Sequence, residues 1–233
     1  MKLDVKGVLF DLDETLLDTT RAHKKACKQV AKLIMALPFA KKRNFLHQDS
    51  EALLMQFVDR ELKNLVYDRS SWWVNFISEW GFNTTPKFIR SLTEAYWKTF
   101  VKESQLFPDA LSTLYYLKKE GYKLGIVADT DGISLLKKDR IKTCGLDRLL
   151  DVIVIAGESG TMIRPHPSGL LLAAKKLNLK PEQCIFVGDK PFTDIQGAKA
   201  AGMTTVLVQR RMWNLSPIPN HLIRSLSELK NLL

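Results

Sequence analysis

The chain has 233 residues, of which 45% are hydrophobic and 26% charged, with a formal net charge of +10. That length holds one large domain or a core domain with a smaller one, and no apolar run approaches the ~18 residues that span a bilayer. Cys27, Cys144 and Cys184 form neither a disulfide framework nor a CxxC knuckle, which points to a reducing cytoplasm. The stretch Met1–Asp4 lacks the apolar region of a signal peptide. The positive balance favours anionic ligands. Without an RNP, zinc-finger or basic-zipper pattern, no nucleic-acid partner is expected.

The first element is an apolar run, about 5–10, that stops at Asp11-Leu12-Asp13-Glu14-Thr15. β-branched and aromatic runs of this length read as buried parallel strands. Asp is a poor strand residue, so Asp11 and Asp13 mark the strand's carboxyl end, the edge at which open α/β sheets bind ligands. Two carboxylates there either hold a hard cation and do chemistry or cap the following turn. Asp18 or Thr19 offers an N-cap for a helix over about 20–36.

From there to about 104 the pattern is helical throughout. Apolar residues recur at helical spacing in three segments: Leu53, Leu54, Phe57, Val58, Leu62 and Val66; then Trp72, Trp73, Phe76, Ile77 and Trp80; then Phe88, Leu92, Tyr96, Trp97 and Phe100. Pro38, Gly81 and Pro86 separate them. Four of the five tryptophans fall here, which reads as the aromatic core of a small helical subdomain. His23 and Lys24 at its start either face a cleft or lie on helix surface. The basic residues Lys24, Lys25, Lys28 and Lys32 read as a solvated helix face.

Past Pro108 the grammar becomes alternating. Pro108-Asp109-Ala110 starts a helix to about Glu120, stopped by Gly121. Strand two, Lys123–Ala128, is followed by a helix over about 133–143, strand three at Val152–Ala156 and a helix over 167–178. Strand four, Cys184–Val187, leads into Gly188-Asp189, a helix over about 191–201 and strand five at Thr204–Val208. Ser225 and Glu228 have capping-box spacing before a short terminal helix. The reading is a Rossmann-like, doubly wound parallel sheet of α/β class. The insert between strands one and two is too long for a crossover and reads as a separate all-helical cap.

Strand four also ends in acid, with Asp189 and then Asp194, so two strands bring carboxylates to one edge of the sheet. Like charges gathered there need a cation, and oxygen-only ligands favour Mg²⁺. An Asp beside Mg²⁺ can attack phosphorus, and an Asp two residues on can serve as general acid and base. Gly157-Glu158-Ser159-Gly160 is not a phosphate loop, because no Gly-Lys-Ser/Thr follows. Asp129 and Asp131 either form the strand-two turn or add negative charge near the metal, and His166 either contacts substrate or is an exposed loop residue.

The combination of Phe10-Asp11-Leu12-Asp13-Glu14-Thr15, Gly188-Asp189 with Asp194, and the small-residue run Gly197–Met203 resembles the haloacid dehalogenase (HAD) superfamily, and within it the phosphatases. The resemblance covers almost the whole chain. It implies a core of 1–17 and 105–233 and a helical cap of 18–104. It also implies Asp11 as nucleophile, Asp13 as general acid/base, and Mg²⁺ held by Asp11, the Asp13 backbone carbonyl and Asp189, with Asp194 behind them. The implied activity is hydrolysis of a small phosphorylated metabolite through an aspartyl-phosphate.

Two positions depart from the family pattern. Ala128 stands where a Ser or Thr usually holds phosphate, leaving the Asp129 N–H and the Thr130 hydroxyl as candidate phosphate donors. Arg164 stands where a Lys usually precedes Pro; it either neutralises charge in the site, where it can grip phosphate with two donors, or is a surface residue of a remodelled loop. These departures keep two alternatives open: a weakly active or non-catalytic phosphate-binding regulator, and a phosphomutase on the same scaffold. Substrate and oligomeric state are not legible.

Overall fold

The computed structural model describes residues 5–37, 47–64, 66–158 and 160–233. The stretch Met1–Asp4, the break at Pro38, the side chain of Leu62 and Ser159 lie outside the described residues. The chain divides into two compact units, one of residues 1–18 with 105–233 and the other of residues 19–104.

The first unit is built on β1 (Gly7–Phe10), whose four residues are all buried. β1 pairs in parallel with β4 (Lys123–Asp129) on one side and β6 (Cys184–Gly188) on the other. β5 (Val152–Ala156) lies beyond β4, and β7 (Thr204–Val208) and β8 (His221–Ile223) lie beyond β6, giving the order β5-β4-β1-β6-β7-β8. The chain winds outward to β5, then returns to lay β6 beside β1. This reversal makes the carboxyl ends of β1, β4 and β6 a topological switch point, where ligands bind in such sheets. β8 is absent from the sequence reading, because three residues carry no usable period.

Both faces of the sheet are covered. Val8, Phe10, Leu124, Ile126, Ile185 and Val187 pack on one face, and Leu9, Val127, Val154 and Phe186 on the other. Full burial explains why these strands read as continuous apolar runs. α5 (Ala110–Lys119) begins beside Asp109, whose carboxylate makes no cap but accepts hydrogen bonds from Arg210, Ser225 and the Leu226 N–H. α6 (Leu136–Thr143) starts later than the sequence suggests, since Leu135 takes a left-handed φ of 68°. α7 spans Ser168–Lys176. The segment read as one helix after strand four opens as a π-helical turn, Pro191–Ile195, before α8 (Gln196–Ala200). The Ser225–Glu228 capping box is present ahead of α9 (Leu229–Leu232).

A two-stranded antiparallel ribbon, β2 (Leu17–Asp18) with β3 (Gln105–Leu106), joins the chain where it leaves and re-enters this unit. The second unit is helical: α1 (Thr20–Met35), α2 (His47–Lys63), α3 (Arg69–Glu79) and α4 (Pro86–Glu103). Thr19 takes the first N-cap position, without a side-chain capping bond. Asp68 and Thr85 cap α3 and α4 with their side chains. The interior is aromatic: Trp72, Trp73 and Tyr96 are fully buried, and Tyr96 meets Trp97 edge-on and stacks on Phe100. Lys24, Lys28 and Lys32 are exposed, whereas Lys25 is half-buried and pairs with Glu103.

Candidate active site

Because Phe10 is level with both Ile126 and Val187, the residues just past β1, β4 and β6 emerge at one edge. Asp11 leaves the ladder with its N–H still bonded to the Val187 carbonyl, at 2.9 Å. Asp189 follows Gly188, and the π-helical turn swings Asp194 back beneath it. The Asp194 carboxylate accepts the N–H groups of Asp189 and Lys190, each at 2.9 Å, and the Thr193 hydroxyl at 3.1 Å. A Cβ on Gly188 would collide with Asp194, so only glycine lets the two approach. Ligand oxygens of Asp11, Asp189 and Asp194 then lie within 4.8 Å of one another.

The state of Asp189 decides whether this cluster suits a cation. Its side chain is completely buried, yet neither carboxylate oxygen has a hydrogen-bond partner among the described residues, and Arg211 Nη2 faces Oδ2 only as a long ion pair at 3.5 Å. Burying an ionised carboxylate without partners is strongly unfavourable. Burial accordingly pushes its pKa up to about 8, with the charge of Lys190 opposing and those of Asp194 and Asp11 adding. Burial also raises Asp11 to about 6, against the pull of Arg164. An oxygen-only donor set holding an orphaned acid fits a hard divalent cation.

Arg164 lies at the centre of the arrangement. It is buried, with 5% of its side chain exposed, so it is not a surface residue of a remodelled loop. Its Nη2 donates to Asp11 Oδ1 at 2.7 Å and its Nη1 to Asp194 Oδ1 at 2.7 Å. Its Nε and Nη2 both reach Asp129 at 3.2 Å, and its backbone N–H bonds Asp129 Oδ1 at 2.9 Å. One planar guanidinium thereby spans three carboxylates through a rigid fork of donors, a geometry that an ammonium does not reproduce. Asp11 Oδ1 is fixed, while among the described residues Oδ2 has only a long contact, 3.5 Å, with the Thr15 hydroxyl.

Asp13 stands apart in a second network. Lys137 Nζ reaches Asp13 Oδ2 at 2.6 Å and Asp131 Oδ1 at 2.7 Å. Arg140 pairs with Asp13 through Nη2 and with Asp131 through Nη1 at 3.0 Å. Burial pushes the Asp13 carboxyl up, but the charges and hydrogen bonds of Arg140 and Lys137 outweigh it and hold the group well below the usual carboxylate range. Asp129 and Asp131 are thus ion-pair partners, the first of Arg164 and the second of Lys137 and Arg140, a role that goes beyond forming the turn.

The remaining candidates fall away from this centre. Thr130 Oγ1 donates to Glu158 at 3.3 Å and accepts the Gly132 N–H at 3.2 Å. Ala128 is buried and brings no hydroxyl. His166 is exposed and bonded to Ser168. His23 belongs to the interior of the helical unit, bonded to the Tyr96 hydroxyl at 2.8 Å, where burial and then the charge of Arg69 lower it to about 3. Sequence reasoning missed Lys137, Arg140, Lys190 and Arg211. Only the position of Lys190 beside Asp189 gave any hint.

Residues 8–208 match the family model described as haloacid dehalogenase-like hydrolase. Over 206 residues the chain is 32% identical to the glyceraldehyde 3-phosphate phosphatase of Pyrococcus furiosus, covering 87% of this chain and 80% of that one. It is 27% identical to human N-acylneuraminate-9-phosphatase, covering 98% and 94%. Among solved structures, an HAD phosphatase from Thermococcus onnurineus superposes with a TM-score of 0.69 at 27% identity, covering 98% and 97%. On the family match, these relatives and the shared fold, the chain belongs to the haloacid dehalogenase-like hydrolases, among the phosphatases.

Proposed function

We propose that this phosphatase is Mg²⁺-dependent and hydrolyses a small phosphorylated metabolite through an aspartyl-phosphate on Asp11. The observation that carries the reading is the orphaned, buried Asp189 within ligand reach of Asp11 and Asp194. Asp11, Asp189 and the Asp13 carbonyl would hold the ion, with Asp194 supporting from behind. Mg²⁺ bound there would neutralise the acids and draw charge from the phosphoryl oxygens.

The protein's own groups divide the work. Arg164 anchors Asp11 by Oδ1, leaving Oδ2 to attack phosphorus. The P–O bond to the leaving group breaks as the new one forms, and Asp13 would protonate the departing oxygen only after leaving the Arg140–Lys137 clamp that holds it ionised. In the second half, the Asp13 carboxylate takes a proton from water as that water attacks phosphorus, releasing phosphate and regenerating Asp11. The ionised, clamped Asp13 described above is the form this second half uses. The Asp129 N–H is the candidate donor to phosphate, and Thr130 could join it only by leaving Glu158. In this proposal the helical unit, 18–104, is the cap that excludes water and selects the leaving group.

The test is steady-state hydrolysis of a generic phosphomonoester with Mg²⁺ and with chelator. Asp11→Asn should abolish turnover while leaving the unfolding curve cooperative, and chelation should do the same to wild type. Turnover by Asp11→Asn at the wild-type rate would refute the nucleophile assignment. A panel that includes glyceraldehyde 3-phosphate and N-acylneuraminate 9-phosphate, the substrates named for the two relatives, tests the substrate class.

A further inference from the structure

We propose that Arg211 is the phosphate-holding cation of this site, in place of the hydroxyl that position 128 lacks. The inference rests on the phosphatase reading above and adds a residue to it. A phosphoryl group arriving at Asp11 needs donors for its outer oxygens. The end of β4 offers none from a side chain, because residue 128 is alanine and the Thr130 hydroxyl is turned to Glu158. Arg164 cannot supply them freely, since each of its three side-chain nitrogens already donates to a carboxylate. Lys190, beside Asp189, is a second cation without a side-chain hydrogen bond or ion pair among the described residues, but its ammonium offers a point charge rather than a planar fork of donors.

Arg211 is differently placed. It follows β7, and its Nη2 lies 3.5 Å from Asp189 Oδ2, with 44% of its side chain exposed. It makes no hydrogen bond among the described residues, so its fork of donors is uncommitted. Its position is nonetheless built: the guanidinium lies 4.8 Å from the Trp213 ring centre, and Trp213 meets Phe192 edge-on at 5.4 Å. Phe192 belongs to the same π-helical turn that delivers Asp194. The neighbouring Arg210 provides the contrast. It is 12% exposed and paired with Asp109, bonded to the Thr15 carbonyl at 3.2 Å, and lies over Phe107, so it is spent on structure. A guanidinium held beside the cation site with free, forked donors suits the oxygens of a phosphoryl group.

The experiment measures inorganic phosphate binding by calorimetry at saturating Mg²⁺, together with KM and kcat for a phosphomonoester. Arg211→Met should weaken phosphate binding and raise KM about 10- to 100-fold, the range expected for losing a charge-assisted hydrogen bond, with kcat changed much less. Arg211→Lys should fall between. Adding Ala128→Ser to Arg211→Met should recover part of the loss, and more than Ala128→Ser adds to wild type. Unchanged phosphate affinity and KM in Arg211→Met, with only Mg²⁺ affinity altered, would show that Arg211 merely neutralises Asp189, and would overturn the proposal. If wild type neither binds phosphate nor hydrolyses the ester, the phosphatase mechanism falls with it. If wild type does both and Arg211→Met matches it, the Arg211 assignment alone falls.

Discussion

Arg164 shows how one side chain sets the charge balance of a buried site. It faces Asp11, Asp129 and Asp194 at hydrogen-bond distance, and each of these is almost fully buried. Burial acts to lower its pKa, but the three carboxylates outweigh that and hold it well above the ordinary value. Removing one partner of such a group leaves buried charges without compensation, at a cost of roughly 3–5 kcal/mol. Arg164→Met should therefore lose about that much stability in urea unfolding at neutral pH, with part recovered on adding Mg²⁺. Arg164→Lys restores the charge but not the fork, and should recover only part of the loss. A methionine variant as stable as wild type would mean that the three acids are already protonated or solvated.

At the scale of an element, α6 carries almost no apolar face, yet its Lys137 and Arg140 are among the most buried cations of the chain, with side chains 5% and 2% exposed. Spaced three apart, they present one cationic edge to Asp13 and Asp131. Arg140→Met should cost ~1.5–3 kcal/mol at pH 7, the range for hydrogen bonds to charged groups. The sign with pH follows from Asp13, whose folded pKa is depressed. Its contribution is present above the unfolded value near 3.8 and is lost as pH falls below it. The gap between wild type and Arg140→Met should accordingly narrow between pH 5 and pH 3 in urea unfolding. A gap that stays constant over that range would assign the loss to packing.

The same helix marks where sequence reading stops. β1, β4 and β6 were legible because fully buried strands are unbroken apolar runs, and the acids ending them were legible because Asp breaks such runs. Lys137 and Arg140 were not, since a basic helix normally faces solvent and the partner Asp13 lies 124 residues earlier for Lys137. Arg164 could be placed near the site only as one of two alternatives, because its reach to three acids depends on the folded loop. The π-helical turn after Lys190 was likewise hidden: Pro191 marks the start of a helix but not its pitch.

For the whole molecule, the charge pattern sets a test of the cation site through stability. The chain is strongly basic, yet its sheet edge gathers acids whose ionisation burial opposes. Asp189 is raised to about 8 and Asp11 to about 6. A carboxyl with a raised folded pKa binds more protons folded than unfolded, so its contribution is lost as pH rises from the unfolded value through the folded one. The metal-free protein should therefore lose stability from these two groups between about pH 4 and pH 8, and above about pH 5 Asp13 is ionised in both states and adds no slope. Mg²⁺ bound as proposed would favour the ionised form and should restore what deprotonation removes. At 100 times its Kd it adds about 2.7 kcal/mol, or about 5–10 °C in Tm for a protein of this size. The Tm increment from Mg²⁺ over chelator should thus be larger at pH 8 than at pH 5.5, and Asp189→Asn should flatten the difference. An increment equal at both pH values, or retained in Asp189→Asn, would place the ion elsewhere.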